Sequence, residues 1–157
     1  MQEVLPLVKE YKAAVIGLVQ DDEGIPKDTK KRVAIATKIV ERGEAAGVPR
    51  EDIVIDALTL AVSADHNAGI ALLEAVRQIK DRLEVNVVLG ASNFSFGLPD
   101  RDLVNNTFLG IALEAGVSCV IADAAKVRPA VLAADLILGR DKYARRYMEN
   151  YRNRLRD

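Results

Sequence analysis

Val87-Val88-Leu89-Gly90-Ala91-Ser92-Asn93-Phe94-Ser95-Phe96-Gly97-Leu98-Pro99-Asp100-Arg101 is the stretch whose reading decides how this chain folds. An apolar run from Val85 to Leu89 breaks at Gly90 into small polar residues. A Gly-Leu-Pro-Asp turn follows, and a helical apolar pattern starts at Leu103. That order predicts a strand with polar groups at its C-terminal end, then a loop, then a helix. In a (β/α) barrel, chemistry sits in the loops at the C-terminal strand ends. Gly90 permits close approach to the backbone, and Ser92, Asn93 and Ser95 offer donors and acceptors. The same spacing also suits a polar turn that only caps the next helix.

The pattern recurs on both sides of this stretch. Upstream, Met1 to Tyr11 has the apolar spacing of a short helix, and Ala13 to Gln20 reads as a buried strand ending in Asp21-Asp22-Glu23-Gly24. Pro26 marks a helix start, with Val33, Ile35, Ala36, Ile39 and Val40 on one face, and Gly47 and Pro49 end that helix. Asp52 to Leu58 is the next strand. Ala68 to Leu83 is the next helix, with Ile70, Leu72, Leu73, Val76 and Ile79 inward. Downstream, a helix from about Asp100 to Ala115 closes at Gly116. Val117 to Asp123 is the fourth strand, and a last helical region runs from Ala130 to Arg154, with a break near Gly139.

Apolar strands that alternate with amphipathic helices imply parallel pairing, buried on both faces. The strands start roughly every 32 to 40 residues, enough for one βα unit with its crossover helix. Four such units make an α/β fold that is half of an eight-unit barrel, or a small open sheet. A complete barrel takes about 250 residues, and 157 are too few to close one. The two sheet edges and inward apolar residues of a half-barrel predict an oligomer, either a homodimer or a pairing with an N-terminal half-barrel chain.

Composition narrows the function classes. Lys and Arg number 22 against 23 acids, so no global field points to nucleic acid or a membrane surface. Trp is absent and aromatics make up 4%, which argues against a base-stacking platform. The single cysteine, Cys119, leaves no internal disulfide and fits a reducing, cytoplasmic setting. Neither a signal peptide nor a membrane-spanning run is legible.

Each strand ends in polar residues, which parallel strands would bring to one rim: Gln20 and Asp21, Asp56 and Thr59, Ser92 and Asn93, Asp123. Helix capping or solvation accounts for Asp21, Asp22 and Glu23. Asp56 interrupts Ile53-Val54-Ile55 and Ala57-Leu58, so it reads as a partly buried carboxylate that needs specific donors.

Gly90-Ala91-Ser92-Asn93-Phe94-Ser95-Phe96-Gly97-Leu98-Pro99-Asp100-Arg101, with Asn105 and Phe108-Leu109, resembles the signature of methyltetrahydrofolate:corrinoid methyltransferases. These belong to the pterin-binding, dihydropteroate synthase-like TIM-barrel group. The resemblance runs along essentially the whole chain. Val15-Ile16 through Gly24-Ile25-Pro26 is similar to the family's fifth strand and loop, and Ile55-Asp56-Ala57-Leu58 to its sixth. Leu138-Gly139-Arg140-Asp141 with Tyr147 is similar to its C-terminal helix.

The resemblance implies a (βα)4 half of a TIM barrel occupying residues 1–157 as one domain, the C-terminal half of a methyltransferase. It implies that Asp56 hydrogen-bonds the pterin ring. Asn93 would reach N5 of methyltetrahydrofolate, and Gly90, Ser92, Arg101 and Ile121 would line the pocket. The methyl acceptor in the family is the cobalt of a corrinoid (cobalamin) held by a partner protein, so no metal ligand is implied here, and His66 reads as a solvated helix-start residue. Two departures stand out. Asp123-Ala124-Ala125-Lys126 replaces the family's Asp-Pro-Leu, and the first half of the barrel is missing, so the chain alone should not be a competent enzyme. A non-catalytic folate-binding or structural half-barrel module and a dihydropteroate synthase-like fragment are the alternatives. The latter ranks lower, because that enzyme's lysine-bearing motif stands here as Ser92-Asn93-Phe94-Ser95.

Overall fold

A computed structural model describes residues 3–156. Four parallel strands, β1 (Val15–Leu18), β2 (Ile53–Asp56), β3 (Asn86–Gly90) and β4 (Cys119–Ile121), lie side by side in chain order. Helix α1 (Val4–Tyr11) precedes β1, while α2 (Thr29–Ala45), α3 (Ala68–Leu83) and α4 (Arg101–Glu114) make the crossovers. Two further helices, α5 (Ala124–Ile137) and α6 (Arg145–Arg154), follow β4. Consecutive parallel neighbours joined through helices are what repeated βα units produce. Among the described residues no helix is long and apolar enough to cross a membrane.

Most boundaries follow local chemistry. The predicted helix at the N-terminus starts at Val4, and Met1 and Gln2 lie outside the described residues. Pro26 does not open α2. Asp28 caps it instead, its carboxylate accepting from Lys30 N–H and Lys31 N–H at 2.9 and 3.0 Å. Asp123 caps α5 in the same way, so this helix begins at Ala124 rather than Ala130 and continues through Pro129. The break near Gly139 divides α5 from α6. There the buried Asp141 accepts from Arg146 N–H and Tyr147 N–H, which hold its carboxyl below the ordinary value.

The core lies between one face of the sheet and the helices. Ile53, Ile55, Val87 and Leu89 meet Val33, Ala36, Ile39 and Val40 of α2, Leu72, Val76 and Ile79 of α3, and Phe108 and Ala112 of α4. Ile70, expected inward, is 69% exposed. It stands two residues, about 200°, from Leu72 round the helix, so an apolar side chain has landed on the solvent face. Burial on both faces holds at the centre of the sheet, where Asp56 and Val88 on the face opposite the helices are buried, but not at its edges. Ile16 and Leu18 of β1 and Ile121 of β4 are exposed on the face opposite the helices, while Gly17 abuts Ile39 of α2. Helices cover one face only.

Candidate functional site

Strand register assembles the site. Side chains alternate between the faces of a strand, so the pairings of Asp56 with Leu18 and Val88, and of Gly90 with Ile121, put all five on the open face. Cys119, paired with Val88, joins them. Asp56 ends β2 with 8% of its surface exposed. One carboxylate oxygen, Oδ1, accepts from Leu58 N–H at 2.9 Å. Burial pushes the Asp56 carboxyl above its ordinary value, and the Leu58 N–H offsets part of that rise. Burial and the neighbouring Asp56 charge push the Cys119 thiol up in turn.

Asn93 closes a single turn of 3-10 helix, Ala91–Asn93, directly after β3. A Cβ placed on Gly90 would come within 3.2 Å of Asn93 Nδ2. The glycine therefore makes room on the open face for the asparagine amide, which folds back over the strand end. Asn93 is itself exposed and available.

The loop that carries Asn93 is anchored at several points. Phe94 stacks on Phe108 of α4, with ring centroids 4.0 Å apart and planes 9° from parallel. Its backbone O accepts from Val62 N–H at 3.0 Å, and Ser63 Oγ donates to Phe96 O at 2.6 Å. The rim loops after β2 and β3 are thus bound to one another. Arg101 straps the loop from below, Nη2 donating to Ser92 O at 2.7 Å and Nε to the fully buried Ser95 Oγ at 3.1 Å.

The six predicted residues consequently divide into two groups. Asp56, Gly90, Asn93 and Ile121 share the open face at the C-terminal strand ends. Ser92 and Arg101 line a cleft of about 480 Å3 between the loops after β3 and β4, with Asn105, Asp123 and Lys126. Elsewhere on the rim, Asp21 and Glu23 pair with Lys31 at 3.0 and 2.5 Å, which raises the lysine to about 12. His66 is exposed just ahead of α3.

Residues 1–123 match the profile of the family described as pterin binding enzyme. The chain belongs to the pterin-binding enzyme family. This is a TIM-barrel family, and all six predicted site residues fall inside the matched segment. Among individual relatives of this family member, methionine synthase of Mycobacterium tuberculosis (strain ATCC 25618 / H37Rv) is 36% identical over 135 residues, covering 81% of this chain and 11% of the relative. Methylcorrinoid:tetrahydrofolate methyltransferase of Eubacterium limosum is 28% identical over 159 aligned positions, 97% of this chain and 58% of the relative. Methionine synthase of Mycobacterium leprae (strain TN) is 33% identical over 135 residues, with 81% and 11% covered. The chain thus spans a small part of the methionine synthases and somewhat over half of the methyltransferase.

One buried rim residue escaped the sequence reading of this pterin-binding family member. Arg32 of α2 is 1% exposed and reaches over the rim. Its Nε donates to Pro26 O at 2.8 Å, and Nη1 donates to Ala57 O and, at 2.9 Å, to Leu58 O. Burial pulls the guanidinium below its ordinary pKa. In the sequence it stands in the basic run Lys30-Lys31-Arg32. The available signal was helical phase, since positions 32, 36, 39 and 43 follow one stripe of α2 and all four are buried.

Proposed function

We propose that this chain is the C-terminal half-barrel of a methyltransferase that binds methyltetrahydrofolate and passes its N5 methyl group to the cobalt of a corrinoid carried by a partner protein. The observation that carries the reading is the pairing, on one open sheet face, of a buried carboxylate and an amide held over a glycine. A pterin ring presents N–H donors to a carboxylate, and Asp56 has Oδ2 without a protein donor among the described residues. When the methyl group leaves, the electron pair of the broken C–N bond collects on N5. A hydrogen bond from Asn93 Nδ2 to that nitrogen strengthens as the charge develops, which is transition-state stabilisation by a neutral donor. The same contact serves the reverse transfer, the direction in the name of the Eubacterium limosum relative.

Ile121 supplies an apolar wall beside the pterin, whereas Ser92 and Arg101 act from the cleft by holding the Asn93 loop. The exposed Ile16, Leu18 and Ile121 support completion of the barrel by a second copy or by an N-terminal half-barrel chain. The completed enzyme would work in the cytoplasm, where the corrinoid protein delivers the methyl acceptor. Asn93→Ala in the completed assembly should slow methyl transfer by roughly 100-fold, read by single-turnover absorbance of the corrinoid. An alanine variant that transfers methyl at the parental rate removes Asn93 from the mechanism. Tight folate binding by the parent with no transfer to any corrinoid protein would instead favour a non-catalytic binding module.

A further inference from the structure

Leu58 is a strained point of the rim. Its φ of +56° lies in the left-handed region, which a leucine enters only when its surroundings hold it there. Both of its polar backbone groups are held, N–H by Asp56 Oδ1 and C=O by Arg32 Nη1. The same Nη1 also donates to Ala57 O. The Ala57 carbonyl and the Leu58 N–H are two ends of one peptide group. A continuous path therefore runs from the guanidinium through that peptide to the Asp56 carboxylate. All three hydrogen bonds of this buried cation go to backbone carbonyls, so its charge acts on the peptide it touches.

We propose that Arg32 is a positioning residue for Asp56: by polarising and orienting the Ala57–Leu58 peptide it fixes Oδ1 and leaves Oδ2 free for the ligand. A donor whose carbonyl end is bound to a cation is a stronger donor, because hydrogen bonds in a chain polarise one another. The stronger Leu58 N–H favours the ionised carboxylate against the burial that opposes it. Other groups around Asp56 compete little. β1 and β3 set Leu18 and Val88 beside it, neither titratable, and β4 brings only the Cys119 thiol. The inference rests on the reading of Asp56 as a ligand acceptor, but the titration that tests it does not.

The test is a carboxyl-carbon NMR titration of Asp56 in the full chain without ligand, in a Leu58→Gly background. Glycine takes a positive φ without strain, so Arg32 is no longer needed merely to hold the turn. Adding Arg32→Met should move the Asp56 titration upward by roughly half a pH unit or more and weaken tetrahydrofolate binding roughly tenfold at neutral pH. If that double variant does not fold, as judged by circular dichroism, Arg32→Gln alone replaces it; glutamine keeps a donor and drops the charge, and the same upward shift is expected. An Asp56 titration unchanged in the folded variant overturns the proposal. A shifted titration in a parent chain that binds no folate leaves the Arg32 link standing and sinks the folate reading instead.

Discussion

On the face of the sheet turned to the helices, Ile53, Ile55, Val87 and Leu89 of the two central strands have no exposed surface, while on the opposite face Ile16, Leu18 and Ile121 of the two edge strands are 51%, 43% and 59% exposed. Residue type does not separate the two faces, since isoleucine stands on both. What separates them is what they meet. One face has α2, α3 and α4 packed on it and carries the stability of the chain. The other holds Asp56, Asn93 and an apolar border, and is the face to which we assign the chemistry.

Ile55→Ala would test the covered face most severely. Removing a fully buried isoleucine there should cost about 2–5 kcal/mol, measured by denaturant unfolding. A loss under about 1 kcal/mol would mean that this face is not the core.

Two glycines sharpen the contrast. On the covered face a Cβ at Gly17 would sit 2.4 Å from Ile39 Cγ2, whereas on the open face a Cβ at Gly90 meets Asn93 Nδ2 at 3.2 Å. Gly17→Ala should therefore destabilise the chain by about 1–3 kcal/mol through overpacking. Gly90→Ala should leave the melting temperature nearly unchanged and slow methyl transfer roughly tenfold by displacing the amide. Equal effects on stability from the two substitutions would erase the distinction between the faces.

Asp56 offers a smaller, pH-dependent effect. Burial raises its carboxyl above the ordinary value of 3.8, so the folded chain holds that proton more tightly than the unfolded chain does. The parent consequently loses stability as pH rises from 3.8 through the raised value. Asp56→Asn cannot ionise, and its Oδ1 still accepts from Leu58 N–H. It should melt higher than the parent near neutral pH, lose that advantage below the window, and bind folate less well. The same difference in melting temperature at both pH values would remove Asp56 as the cause.

Ile121→Ser should change the stability of the isolated chain least, by under about 0.5 kcal/mol, because little is packed on it. Sedimentation should show a weakened association with whatever completes the barrel. A large loss of monomer stability would show that the open face is already covered within one chain.

Much of this arrangement was legible from local pattern. The bounds of α3, the positions of all four strands and the partial burial of Asp56 follow from apolar periodicity and one interrupting carboxylate. The Ser92-Asn93-Phe94-Ser95 motif marked the family that the residue 1–123 match then showed. Where prediction failed, local pattern had two readings. Ile70, expected inward, is as apolar as Leu72 yet faces water; Arg32, on which the sequence reading was silent, is as basic as Lys31 yet is buried.

By itself the sequence determined the order of strands and helices, their parallel pairing and the rim that bears the polar residues, because element type follows local pattern and strands alternating with crossover helices pair in parallel as a rule. Only the tertiary structure decided which strand face the helices cover, that Gly90 shelters the Asn93 amide, and that Ser92 and Arg101 belong to a neighbouring cleft. It alone joined Arg32 to the Ala57–Leu58 peptide across 25 positions. Such contacts are chosen by packing in three dimensions, and a hydrogen bond between distant residues leaves no period in the sequence that encodes it.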